Sequence, residues 1–240
     1  MPKIPTHQAR CTTIAPSTSD LDVALRIGPQ LERWFGRHRR TFPWRSWRDP
    51  YRIAVVEILL QRTRAEVVAA FVPDFLDRFP DWDSIVAAPL AELVAALAPL
   101  GLHRRRAAAL RDLASSVQGD PPASGTWQGR PGVGQYVARA IAVNVENRRC
   151  AMVDTNFVRV LRRLFGGRWA SDYRYDKRLQ TLAVAVVEGA ADIRAVNWAV
   201  LDLGATVCKP RRPNCKGCPL QVDCRYATEA EASEGGDRWE

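Results

Sequence analysis

No apolar run in this 240-residue chain reaches the roughly 18–20 residues that cross a membrane. From Met1 to Asp20 there is neither a continuous apolar block nor the layout of a secretory leader. The expectation is a cytoplasmic protein without a membrane partner. Alternating apolar and polar residues of the kind that pair as strands are missing, and so is any internal repeat. Lysine is scarce. Lys3, Lys177, Lys209 and Lys216 are the only four, so 31 of the 35 basic residues are arginine.

Hydrophobic residues make up 47% of the chain, enough for a packed interior and against wholesale disorder. The length suits one large domain or two small lobes. The formal charge is +9. A positive field captures polyanions, and the guanidinium fork matches phosphate geometry. An arginine-rich codon bias gives the same surplus, so charge alone leaves both readings open.

Helical spacing dominates. Leu21, Ala24, Leu25, Ile27, Leu31, Trp34 and Phe35 share one face over 21–40. Phe42-Pro43-Trp44-Arg45 breaks the pattern, and Asp49-Pro50-Tyr51 leads into a second helix through Leu60. Further helices are predicted over 65–78, 83–88, 90–98, 103–117, 134–145, 155–165, 174–188 and 192–205, with a Gly-, Pro- and Ser-rich loop over 118–130. The fold class is all-α. Residues 1–20 read as a flexible tail and 227–240 as a disordered one.

Four of the six cysteines fall within seventeen residues. Cys208, Cys215, Cys218 and Cys224 read C-x6-C-x2-C-x5-C, while Cys11 and Cys150 stand apart. Four thiolates are what a [4Fe–4S] cubane takes, one per iron. A structural zinc site also takes four cysteines, usually as two short-spaced couples. Here only Cys215–Cys218 is short, which favours the cluster.

Pro131-Gly132-Val133-Gly134 precedes a predicted helix, with Gln135 and Tyr136 opening it. Such a turn can present backbone N–H groups to phosphate, and it can equally be an ordinary interhelical turn. Asp154 ends the apolar run Ala151-Met152-Val153 just before the next helix. Aspartate there is a preferred N-cap, and a rigidly held carboxylate facing a cleft can also do chemistry.

Taken in order, the Gly-Val-Gly hairpin, the aspartate after the next helix and the four-cysteine loop resemble the endonuclease III and MutY superfamily of DNA glycosylases. The resemblance runs from about Phe42 to Cys224. It implies two helical lobes. One is a six-helix barrel with a helix-hairpin-helix, 46–150. The other combines 21–45 with 151–226 and carries a [4Fe–4S] cluster on the cysteine loop. The partner implied is double-stranded DNA with a mismatched or damaged base, bound by a monomer at the nucleoid.

The same resemblance sorts the branches. Tyr136 stands where bifunctional endonuclease III-type enzymes carry a Schiff-base lysine, so a glycosylase without AP-lyase activity is implied. MutY-type adenine glycosylases usually carry serine there, and Mig-type thymine-DNA mismatch glycosylases carry tyrosine. Ala151 to Val160, and Glu57-Ile58-Leu59-Leu60-Gln61-Arg62-Thr63, look most like the Mig type. The implied activity is hydrolysis of the N-glycosidic bond of a flipped thymine or uracil opposite guanine. The alternative is a MutY-type adenine glycosylase lacking the 8-oxoguanine-reading domain.

The implied roles are specific. Asp154 stabilises the cationic sugar, Tyr136 donates to or stacks on the base, and a protonated Glu57 hydrogen-bonds it. Gln61 enters the gap left by the flipped nucleotide, Arg62 beside it contacts DNA, Leu102 is a wedge, and Gly132, Val133, Gly134 and Gln135 hold phosphate. His103, Arg104, Arg105 and Arg106 form a basic run towards flanking phosphates. Each has a plainer alternative: a core contact for Leu102, a packed tyrosine, a buried carboxyl capping a helix, a solvated basic face. The stretch 124–130 is short and glycine-rich where the family usually has a regular helix, so a truncated first hairpin helix is expected.

Overall fold

The computed structural model describes residues 15–118 and 122–234. Cys11 and most of the expected N-terminal tail (residues 1–14) lie outside the described residues, as do 235–240. Eleven α-helices and no strand occur among the described residues. They are α1 Thr18–His38, α2 Pro50–Leu60, α3 Ala65–Arg78, α4 Trp82–Ala87, α5 Leu90–Leu97 and α6 His103–Val117, then α7 Gln135–Asn144, α8 Thr155–Phe165, α9 Lys177–Glu188, α10 Ile193–Thr206 and α11 Arg225–Glu234. None is long and apolar enough to cross a membrane.

Six helix starts are capped by short polar side chains. The Ser17 hydroxyl accepts from the Asp20 N–H, and Asp49, Asp81, Asp154, Asp176 and Asp192 cap α2, α4, α8, α9 and α10. Each such cap is worth about 0.5–2 kcal/mol. Asp176 explains why α9 begins at Lys177 and not at 174. Its carboxylate accepts from the N–H groups of Leu179 and Ala170, which turns the preceding residues into a loop.

Two differences from the expected pattern stand out. Leu25, placed on the inner face of α1, is 43% exposed. The helix crosses α9 so closely that a Cβ at Gly189 would lie 2.0 Å from the Leu25 carbonyl oxygen, which turns that side chain outward. Secondly, α11 runs from Arg225 to Glu234, so residues 227–234 of the stretch read as a disordered tail are helical. Ala227 is buried and Arg163 of α8 lies over the Tyr226 ring at 4.7 Å. That packing is tertiary and leaves no mark on a polar, Ala- and Glu-rich segment.

Buried side chains form two clusters. One gathers α2 to α7 with Phe42, Trp44, Trp127 and Met152. The other gathers α1 and α8 to α10 with Ala151, Val153 and Leu220. Adjacent residues 151 to 153 thus alternate between the two, and Asp154 follows at their junction. A charged latch crosses the same junction. Asp202 of α10 is fully buried and accepts from the Arg40 N–H and Nε at 3.0 and 2.7 Å, and from Arg45 Nη1 and Nη2 at 2.9 and 2.8 Å. Arg45 also stacks within 5.2–5.5 Å of Phe42, Phe35 and Trp198.

Removing one partner of a buried pair strands the other charge. Asp202→Ala should therefore lower stability by about 3–5 kcal/mol in urea melts. A loss under 1 kcal/mol would show that the latch is peripheral.

Candidate active site and nucleic-acid interface

The segment that delivers Asp154 is pinned from behind. Asn197 of α10, fully buried, accepts from the Met152 N–H at 2.7 Å and donates to the Cys150 carbonyl at 3.1 Å. Asp154 then caps α8. Its Oδ1 accepts from the Phe157 N–H at 2.7 Å and its Oδ2 from Asn156 Nδ2 at 2.8 Å. Asn156 Oδ1 in turn accepts from Arg159 Nη2 at 2.8 Å. Arg159 donates onward to the carbonyls of Gly204 and Cys208, at 2.6 and 2.7 Å. A Cβ at Gly204 would meet the Asn156 Cβ at 2.6 Å, so only glycine lets α10 approach the start of α8 this closely.

Asp154 is half-buried. Burial raises its carboxyl above the ordinary value, an effect only partly offset by the bonds from Phe157 and Asn156 and by the Arg159 charge. Glu57 of α2 is 5% exposed. Burial, then the Asp154 charge, raises its carboxyl from 4.5 to about 8. No hydrogen bond to the Glu57 carboxyl, and so no helix capped by it, occurs among the described residues. Tyr136, in the first turn of α7, is pushed well up by burial and then by Glu57, Asp154 and Tyr173. Glu57, Tyr136 and Asp154 are thus brought within each other's field.

Tyr173 joins them and was not foreseen. It sits in the loop before α9, where Gln180 Nε2 donates to its carbonyl at 2.9 Å. Gln180 Oε1 accepts from Arg139 at 2.7 Å, one turn beyond Tyr136 on α7. The only available signal was an aromatic in a loop, which is too common to single out.

The interface candidates divide. Gln61, Arg62, Leu102, Gly132, Val133 and Gly134 line one groove of about 400 Å³, together with Arg105 and Arg130. Leu102 is 47% exposed, so it is no core contact. Gln135 and His103 are half-buried, and the His103 Nδ1 is buried without a partner among the described residues. Val133 is 3% exposed and its N–H donates to the Arg130 carbonyl at 2.9 Å, so that donor is already used within the turn. The basic run also needs correction. Arg104 and Arg105 are exposed, but Arg106 is 4% exposed and points inward to backbone carbonyls. No helix lies between Val117 and Gln135 among the described residues, in line with the truncation expected there. Trp127, buried against Trp82 at 6.5 Å between centroids, anchors the turn instead.

Cys208, Cys215, Cys218 and Cys224 line a single pocket with Arg163. Arg163 Nη1 lies 3.4 Å from the Cys208 sulfur. Burial and then the neighbouring cysteines push the Cys218 thiol up to about 11, so a thiolate there needs a cationic centre. Among the described residues no three of His, Cys, Asp or Glu are grouped tightly enough to hold a metal ion.

Residues 55–184 match the family model of the HhH-GPD superfamily base excision DNA repair proteins. The chain belongs to this family. It is 36% identical to a thymine/uracil-DNA glycosylase of Methanothermobacter thermautotrophicus, over 78% of this chain and 87% of that protein. It is 34% identical to an adenine DNA glycosylase of Mycobacterium tuberculosis, over 79% of this chain and 64% of that protein. Among solved structures, a thermostable thymine-DNA glycosylase superposes with a TM-score of 0.80 at 33% identity, covering 88% of this chain and 98% of that one.

For this HhH-GPD protein the raised Glu57 carboxyl has a thermodynamic consequence. The native state holds a proton that the unfolded chain releases above its ordinary value of 4.5. Stability from this group is complete below that pH and is lost as pH rises through about 8. Glu57→Gln should therefore melt above the parent protein at pH 9 and lose that advantage at pH 4. Parallel Tm-against-pH curves would contradict a protonated Glu57.

Proposed function

We propose that this DNA glycosylase hydrolyses the N-glycosidic bond of thymine or uracil opposite guanine, without an AP-lyase step. The observation that carries the proposal is Tyr136, within the field of Glu57 and Asp154, where the resemblance puts the Schiff-base lysine of bifunctional enzymes. The described lysines Lys177, Lys209 and Lys216 are all exposed. The thymine/uracil and thymine relatives support the choice of base.

A base in a duplex is out of reach, so the nucleotide is flipped out. The groove carrying Gln61 and Leu102 receives the vacated space, and the two core clusters act as two lobes with the pocket between them. Bond cleavage builds positive charge on the deoxyribose, and Asp154 carries the fixed negative charge that stabilises it. A pyrimidine leaves as an anion spread over its carbonyl oxygens. It needs donors more than full protonation, and neutral Glu57 and the Tyr136 hydroxyl are donors.

The four cysteines line one pocket, and their C-x6-C-x2-C-x5-C spacing, with only one short couple, is what favours a [4Fe–4S] cluster over zinc. Such a cluster supplies a rigid fold for the loop that carries Lys209, Arg211, Arg212 and Lys216. After anaerobic reconstitution the protein should hold about four iron atoms per chain. Cys218→Ser should lower that content, while stoichiometric zinc in the parent protein would overturn the assignment.

The function is tested on labelled duplexes carrying T·G, U·G or adenine opposite 8-oxoguanine, each read with and without hot alkali. Strand cleavage of T·G and U·G only after alkali is expected. Cleavage of the adenine strand would move the protein to the adenine branch, with Glu57 as the acid. Scission without alkali would overturn the missing lyase step. Asp154→Asn should lose excision by about 100-fold or more while keeping its duplex affinity.

A further inference from the structure

Two turns on the groove are held in backbone conformations that side chains rarely adopt. Arg62 has φ +59 and Leu102 has φ +50, and neither is glycine. They lie forty residues apart in sequence, one just after α2 and the other just before α6. Such strain persists only where the surroundings over-determine it.

One side chain reaches both turns. Arg106, buried one turn into α6, sends Nη2 to the carbonyls of Leu59 and Gln61 at 3.0 and 2.6 Å, and to Thr63 Oγ1 at 2.5 Å. Its Nη1 donates to the carbonyls of Leu100 and Gly101, at 2.9 and 2.6 Å. No carboxylate pairs with it among the described residues, and its Nε is buried without a partner. The charge is met by neutral oxygens alone, the Thr63 hydroxyl and the carbonyls at the C-terminal end of α2 and at the turn before α6. Carbonyls at a helix C-terminus carry partial negative charge and favour a cation. A buried charge kept on these terms, with one donor left unsatisfied, needs a return beyond core packing.

We propose that Arg106 is a positioning residue that clamps the Gln61–Thr63 turn to the Leu100–Leu102 turn, so that Gln61 and Leu102 enter DNA as one rigid unit. This rests on the reading above that those two residues invade the duplex. Unstacking a base requires the wedge to be stiffer than the stack it enters. A planar fork holds two turns at once, and a lysine ammonium offers no such fork.

The test uses the full chain and a duplex with 2-aminopurine beside a T·G mismatch. Its fluorescence rises on unstacking, so opening is read whether or not the bond is cut. Arg106→Lys should lower that signal by about tenfold at saturating protein, as small misplacements do. Its affinity for matched duplex should stay within about twofold, because phosphate contacts are untouched. In a Leu102→Ala background the same change should add nothing, since both act through one element.

Wild-type unstacking by a folded Arg106→Lys, or a loss that multiplies with Leu102→Ala, would overturn the clamp. Should Arg106→Lys fail to fold, Gly101→Ala carries the test. Its φ of +69 is unsuited to alanine and the space around it is open, so the carbonyl shifts off Nη1 without a clash. Unchanged unstacking in that variant would equally overturn the clamp. A parent protein that unstacks the mismatch, loses this with Arg106→Lys, yet releases no thymine or uracil supports the clamp and contradicts the proposed substrate alone.

Discussion

Two carboxyl groups in one desolvated pocket cannot both be charged without a large cost, and the site is organised around how that conflict is settled. Asp154 has two donors on its oxygens and Arg159 nearby. Glu57 has burial and the Asp154 charge against it. Burial raises both carboxyls, but the donors and Arg159 hold Asp154 back while Glu57 rises to about 8, which favours the proton on Glu57. Under the proposed function, one group would face a developing cation and the other a departing base, a separation of roles set by environment.

The surrounding architecture serves that asymmetry. The donors to Asp154 come from the first turn of α8, where any aspartate N-cap would find the N–H of Phe157. What is particular is the continuation through Asn156 and Arg159 to the Gly204 and Cys208 carbonyls. The carboxylate is thereby braced against α10 and against the first cysteine of the four-cysteine loop. Gly204 permits the approach, and Asn197 fixes the chain two residues upstream. One hydrogen-bond chain thus links the Asp154 carboxylate to the start of the cysteine loop, and the Asp202 latch joins α10 to the segment leading into α2.

Much of this was legible in the sequence. Phe157, Leu161 and Leu164 repeat at helical spacing and do line a core. Aspartates before helices announce their caps, and the cysteine spacing announces a shared pocket. What escaped was made by pairs distant in sequence. Arg106 reads as one more surface arginine in a basic run, because its acceptors on α2 lie more than forty residues earlier. Tyr173 stands in a loop with no periodicity, held through its carbonyl by Gln180, which bridges to Arg139 on the helix that carries Tyr136. Leu25 follows the inner face of α1 in pattern and faces out because α9 passes too close.

The division of protonation between the two carboxyls can be observed directly. Infrared difference spectra of the parent protein, Glu57→Gln and Asp154→Asn would be recorded at pH 7, following the C=O stretch of a protonated carboxyl. The account expects one such band in the parent protein, persisting in Asp154→Asn, absent from Glu57→Gln and fading as pH rises through about 8. A band that disappears with Asp154→Asn and survives Glu57→Gln would reverse the roles. The absence of any protonated carboxyl at pH 7 would contradict the account at its centre.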